Sequence, residues 1–145
     1  MKIARAWWPV GVWMALIFGV STEVGGVENT SRFLGPLLEW LFPGFAPESL
    51  VGIRVVVRKF GHVAEYAILC VLCFRAIRTT RPCGLGRLIA AAVLISVAFA
   101  ATDEIHQAFV PGRTGTPVDV LIDTLGAFCG AGVVVICSRR IRDGS

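Results

Sequence analysis

The stretch from Ala101 to Asp123 reads ATDEIHQAFVPGRTGTPVDVLID and contains a concentration of titratable side chains. Six of its residues are of this kind: Asp103, Glu104, His106, Arg113, Asp119 and Asp123. The chain as a whole is 55% hydrophobic and only 17% charged, so this concentration needs a structural reason. The apolar runs before and after the stretch point to that reason, because their lengths decide the fold.

Four apolar blocks recur along the 145 residues, at about 6–22, 60–77, 85–107 and 118–137. Each is close to the ~20 residues that a helix needs to cross about 30 Å of hydrocarbon. Backbone polar groups in lipid must be satisfied within the chain, which favours helices over open strands. With a mean hydropathy of +0.73, the sequence predicts an all-α, integral membrane four-helix bundle that forms one domain over residues 1–145.

The segment between the first two blocks contains a weaker helical pattern. Phe33, Leu37, Leu38, Leu41 and Phe42 recur at helical spacing. Such a pattern is typical of a short amphipathic helix at a membrane interface. We therefore expect a short outer interfacial helix in addition to the four membrane spans.

The basic residues orient the bundle. Nine of the fourteen Lys and Arg side chains lie before the first block, between the second and third, or after the fourth. The positive-inside rule predicts that these segments and both termini are cytoplasmic. The net charge of +4 is then a consequence of topology, and nucleic acid is not expected as a partner. The basic start of the first block also resembles a signal peptide, but Pro9 and three nearby tryptophans favour a retained helix.

Polar groups on the last three blocks lie at one depth. Lys59, Asp103 and Asp123 are each sixteen residues from an arginine of the predicted cytoplasmic side, or about 24 Å along a helix. A charged side chain at membrane depth costs ~2.5–3.5 kcal/mol, so these groups should converge on an interior pocket that opens outward. The residues predicted to line this pocket are Lys59, His62, Glu65, Tyr66, Asp103, Glu104, Gln107, Arg113, Asp119 and Asp123.

Two local patterns bear on how the last block sits in the bundle. Gly126-x-x-x-Gly130 permits close contact with a neighbouring helix and would draw Asp123 toward that neighbour. Thr116 and Asp119 fit the capping positions of a helix that starts just before the fourth block.

Two motifs resemble those of VanZ-like membrane proteins. Lys59-Phe60-Gly61-His62-Val63-Ala64-Glu65-Tyr66 matches the pattern K-x-x-H-x-x-E-Y. A second signature, D-E-x-x-Q…P-G-R…D-x-x-x-N-x-x-G, is matched by Asp103-Glu104-Ile105-His106-Gln107, Pro111-Gly112-Arg113, Asp119 and Gly126 to Gly130, with Asp123 where the family usually has Asn. The resemblance covers about half the chain. It implies a bacterial plasma-membrane protein acting at the cell envelope, in a family named for a protein linked to teicoplanin resistance.

The chemistry of the pocket leaves three interpretations open. In the first, an enzyme uses His62, oriented by Glu65, as a general base and Asp103 as a second acid or base. In the second, Lys59 and Arg113 hold an anionic ligand without making or breaking bonds. In the third, a non-enzymatic scaffold uses the charges as structural pairs, namely His62–Glu65, Arg113–Asp119 and Lys59–Asp103.

The leading prediction is that the pocket binds or processes an anionic amphiphile of the envelope. Membrane lipids, a lipid-linked cell-wall precursor or a glycopeptide-type ligand are the expected partners, while the oligomeric state is left open. No cofactor is expected. No metal site is assigned, because an H-E-x-x-H motif is missing and Lys59 and Arg113 would repel a cation, although His62, Glu65, Asp103 and Asp123 are ligand types. His106 is expected to be solvated.

Overall fold

The computed structural model of the chain describes residues 2–21, 35–44, 47–110 and 115–143. Within these ranges the chain forms five helices and no strand. They are α1 (Lys2–Ser21), α2 (residues 35–41), α3 (Pro47–Thr80), α4 (Leu85–Gln107) and α5 (Pro117–Asp143). The four longer helices are each long and apolar enough to cross a membrane. The predicted all-α fold is confirmed, and the chain is a multi-pass membrane protein.

Three helices extend beyond the apolar blocks that indicated them. α1 already begins at Lys2, and α5 continues through Arg139 and Arg140 to Asp143. α3 has 34 residues and begins at Pro47, where the fixed φ of proline suits a first helical turn. An apolar block measures how much of a helix contacts hydrocarbon, and charged residues with good helix propensity extend the helix past it.

α3 is the central helix of the bundle, because its contacts with α1, α4 and α5 are together more extensive than those of any other helix. Beneath the polar layer its buried face includes Leu69, Cys70 and Cys73, which belong to one apolar cluster with Ala92 of α4 and Ala127 of α5. On the outside of the bundle, large apolar side chains are exposed, as expected where hydrocarbon replaces water. Polar groups at the same depth on α4 and α5 are therefore gathered around those of α3.

The closest approach within the bundle is between α3 and α5. A Cβ atom built on Gly126 would lie 2.5 Å from the carbonyl oxygen of Val63, and one on Gly130 would collide with the carbonyl oxygen of Ala67. Only glycine lets the two backbones approach this closely. The close helix contact that the Gly126-x-x-x-Gly130 spacing indicated is present, and it is made with α3.

The short helix α2 covers residues 35–41, within the segment where an outer interfacial helix was predicted. The expected first residue of its apolar pattern, Phe33, lies outside the described residues. Glu39 of this helix lies 3.9 Å from Arg54 of α3, measured from Oε1 to Nη2. This contact places α2 beside the part of α3 that extends past its apolar block.

Gly126→Ala should lower the stability of the protein. The added methyl group would have to part α3 from α5, and overpacking of this kind costs ~1–3 kcal/mol, which outweighs the ~1 kcal/mol gain in helix propensity. The measurement is the melting temperature in detergent. Gly132→Ala on the same helix is the matched control, because nothing lies within 4 Å of a Cβ atom there, and it should leave the melting temperature unchanged or raise it. Equal effects of the two substitutions would contradict the close contact.

Candidate ligand-binding site

Two basic side chains of α3 each bond an acid of α5. Lys59 Nζ lies 3.2 Å from Asp119 Oδ1, and His62 Nδ1 lies 3.1 Å from Asp123 Oδ1. Lys59 and His62 are three residues apart, and Asp119 and Asp123 are four apart. Each pair of residues therefore shares one face of its helix, and these two faces meet. The Asp119 side chain is 28% exposed, whereas that of Asp123 is fully buried. The two pairs therefore lead from the protein surface to its interior.

The Lys59–Asp119 pair replaces the Lys59–Asp103 pair that was expected as a structural alternative. The glycine contact brings α5, not α4, directly against this face of α3, so the nearest acid to Lys59 belongs to α5. Asp103 is directed elsewhere in the bundle, and its contacts are described below.

His62 bonds Asp123 rather than Glu65, the residue expected to orient it. Glu65 lies on the same helix as His62 and its side chain is half-buried. The backbone carbonyl oxygen of Glu65 accepts a hydrogen bond of 3.0 Å from the indole Nε1 of Trp13, which ties α1 to α3 at this level. The residue that orients the imidazole is thus Asp123, supplied by another helix.

The start of α5 is fixed by Thr116 and by Glu104 of α4. The Asp119 N–H donates to Thr116 Oγ1 over 3.2 Å, and that hydroxyl donates to Asp119 Oδ2 over 2.7 Å. In a capping box a longer acid at the third helical position would accept from the N-cap N–H. Here Asp119 is shorter, and the Thr116 N–H donates to Glu104 Oε2 over 3.0 Å instead. Glu104 therefore completes the cap of α5 from a different helix.

Asp103 is fully buried where α4 meets the end of α1. Its Oδ2 accepts a hydrogen bond of 2.7 Å from Ser21 Oγ and one of 3.0 Å from Gln107 Nε2. Sequence reasoning missed Ser21. The signal was available, since Ser21 lies sixteen residues after Arg5, the same interval that placed the other polar groups at one depth.

His106 is not the solvated side chain expected from its place in the outer turn of α4. Its ring stacks on Phe18 of α1, with ring centroids 4.1 Å apart and an interplanar angle of 25°. α1 covers this turn, which the sequence pattern of α4 alone did not indicate. Arg113, the second cation predicted for the site, lies outside the described residues.

Four polar atoms at the centre of the layer are buried without a hydrogen-bond partner among the described residues. Tyr66, Asp103 and Asp123 are 0% exposed, and Glu104 is 4% exposed. The atoms are Tyr66 Oη, Asp103 Oδ1, Glu104 Oε1 and Asp123 Oδ2. A buried polar group without a partner costs ~1–3 kcal/mol, and more when it is charged. Structural pairing alone therefore leaves this centre unexplained.

A cavity of about 180 Å³ lies between α3 and α5, beside the Lys59–Asp119 pair. Its lining residues are Val55, Arg58, Lys59, His62, Asp119, Ile122 and Asp123. The cavity thus combines two cations, an imidazole and two carboxylates with aliphatic walls. Four of the predicted lining residues border it, whereas Tyr66, Asp103, Glu104 and Gln107 are buried deeper in the bundle and Glu65 does not line it. Arg58 was not predicted as a site residue.

The family model described as VanZ/LLP1 matches residues 6–138 of this chain. That range includes the polar layer and the greater part of all four membrane-spanning helices. No curated protein and no solved structure matches the chain significantly.

Proposed function

The chain belongs to the VanZ/LLP1 family, and from this membership together with the cavity between α3 and α5 we propose that it binds an anionic amphiphile of the bacterial cell envelope. The observation that carries the proposal is the presence of Arg58 and Lys59 beside Val55 and Ile122 in one cavity. A phosphate head group would contact the cations, while the first carbons of its chain would lie against the aliphatic walls. A lipid head group and a lipid-linked wall precursor share this chemistry.

Arg58 is the side chain best suited to hold the head group. Lys59 is already paired with Asp119, and Arg54 lies beside Glu39. Arg58 forms no ion pair with the residues that the structure describes. Its guanidinium has a planar fork of donors that matches two phosphate oxygens at once. A cation without a competing carboxylate is the stronger anion ligand, because no existing contact must be broken first.

Catalysis would extend this function through His62. The imidazole lines the cavity and is oriented by Asp123, which is the arrangement that a general base requires. The other two predicted catalytic residues do not line the cavity. Asp103 is buried against α1, and Glu65 is not among the lining residues. We therefore propose binding as the function, and a bond-breaking step would use His62 as its general base.

The alternative function, a non-enzymatic scaffold, has support of its own. Lys59–Asp119 and Ser21–Asp103 are contacts between helices, as structural pairs would be. This alternative does not account for Glu104 Oε1 and Asp123 Oδ2, which are buried without a described partner. A set of charges that served packing alone would be expected to satisfy these oxygens, since each one left without a donor weakens the fold.

Arg58→Gln should weaken binding of a fluorescent short-chain phosphatidylglycerol to the purified protein in detergent. Loss of a charge-assisted hydrogen bond is worth ~1.5–3 kcal/mol, or about tenfold or more in dissociation constant. Arg54→Gln, one turn away on the same helix and outside the cavity lining, is the matched control and should bind like the parent.

Phosphatidylcholine serves as the zwitterionic comparison, and a polyprenyl-diphosphate wall precursor as the second anionic probe. Tighter binding of the diphosphate would identify the precursor as the preferred source of the head group, and direct competition with teicoplanin would link the site to glycopeptide resistance. Equal losses in both arginine variants, or equal affinity for the two phospholipids, would refute the proposal.

We further propose that the membrane is the bacterial plasma membrane, with both termini in the cytoplasm and the cavity on the outer side. Four arginines support this orientation by flanking or occupying the connection between α3 and α4: Arg75, Arg78, Arg81 and Arg87. Cys83, also in this connection, is exposed.

A membrane-impermeant maleimide should label Cys83 only after cells are permeabilised, because the proposed orientation places it inside. Cys83→Ser gives the background from the other four cysteines. Pro43→Cys added to Cys83→Ser should be labelled in intact cells, since Pro43 is an exposed residue next to α2 on the proposed outer side. The opposite labelling pattern would reverse the orientation.

A further inference from the structure

His62, Glu104 and Asp123 bring metal-ligating side chains together from three different helices. One ligand atom from each residue lies within 4.8 Å of the corresponding atoms of the other two. We propose that these residues bind a divalent transition-metal ion, Zn²⁺ or Mn²⁺, through one ring nitrogen and two carboxylate oxygens. The proposal goes beyond the binding of an anionic head group and does not depend on it.

Both carboxylates are oriented through one oxygen and leave the other without a described partner. Glu104 Oε2 accepts the Thr116 N–H over 3.0 Å, while Oε1 has no partner among the described residues. Asp123 Oδ1 lies 3.1 Å from His62 Nδ1, while Oδ2 is likewise without one. Glu104 is 4% exposed and Asp123 is 0% exposed, so bulk water does not solvate these oxygens. Glu104 is therefore a preorganised ligand, since contacts with residues outside a site normally orient the groups that bind a metal.

A divalent ion would also neutralise the negative charge of this cluster. When both are ionised, Glu104 and Asp123 carry two negative charges where hydrocarbon surrounds the bundle, and removing such charges from water is costly unless they are compensated. Lys59 was expected to repel a cation, but its ammonium group lies 3.2 Å from Asp119, which largely neutralises its charge. An ion of charge +2 would balance the two buried carboxylates.

The ligand set and its spacing favour Zn²⁺ or Mn²⁺ over the hard ions. Imidazole nitrogen combined with carboxylate oxygen suits first-row transition metals, whereas Ca²⁺ and Mg²⁺ prefer oxygen alone. Ligand atoms about 2.1 Å from an ion lie no more than ~4.2 Å apart, so side-chain shifts of about 1 Å or less would close the site. Three protein ligands leave a coordination position for water.

Metal titration of the protein tests this site directly. The purified full chain in detergent is stripped with EDTA, desalted and titrated separately with Zn²⁺ and Mn²⁺ by calorimetry, and bound metal is counted by mass spectrometry. We expect one ion per chain for at least one of the two metals. Glu104→Gln and Asp123→Asn should each weaken binding by about tenfold or more, as loss of a ligand requires. Asp103→Asn, a buried acid of the same layer, and His106→Gln, the other histidine, are matched controls that should bind like the parent.

The proposal is overturned if the parent binds neither ion stoichiometrically. It is equally overturned if the two control variants lose as much affinity as the ligand variants, or if the ligand variants lose none. Metal binding to the parent protein is measured first. Its result therefore tests the proposal even if a variant does not fold. Metal binding is read without lipid, and its outcome is therefore separate from that of the Arg58→Gln experiment.

Discussion

Close contact between the backbones of α3 and α5 holds the polar layer together. Gly126 and Gly130 remove the side chains that would keep the two helices apart. Asp119 and Asp123, farther toward the start of α5, can then bond Lys59 and His62 of α3. Each of these charges would cost ~2.5–3.5 kcal/mol if it faced lipid, so the interior position that the contact creates is a condition for a stable bundle.

The fold and the depth of the polar groups could be predicted from the sequence, but their partners could not. Apolar block lengths report membrane spans, and the interval of sixteen residues reports height along a helix. Neither the block lengths nor the interval shows which neighbouring helix a given face of a helix contacts. His62 was therefore assigned to Glu65 on its own helix, whereas packing delivers Asp123 from α5. The interval from Arg5 gave the depth of Ser21, but Ser21 and Arg58 each fall at the margin of an apolar block, where the sequence pattern does not show whether a side chain points into the bundle.

Two kinds of acid can be distinguished in the layer. Asp119 has partners for both of its oxygens, in Thr116 and Lys59, and behaves as a cap and an ion pair. Glu104 and Asp123 each have one buried oxygen without a described partner. A fold gains nothing from leaving a charged oxygen in that state, and proteins commonly keep such costs where a ligand is bound. This difference is the basis for proposing a cation site at Glu104 and Asp123, beside the cavity proposed to bind an anion.

The melting temperature of Glu104→Gln in detergent, without added metal, tests most directly whether the buried charge is kept for a ligand rather than for folding. Glutamine retains the shape of Glu104 and an acceptor for the Thr116 N–H, and it removes the charge. We predict an unchanged or higher melting temperature, because the substitution removes a buried carboxylate whose charge is not compensated. A sharp decrease, corresponding to the ~3–5 kcal/mol typical of a broken buried pair, would contradict it and show that the charge of Glu104 serves the fold.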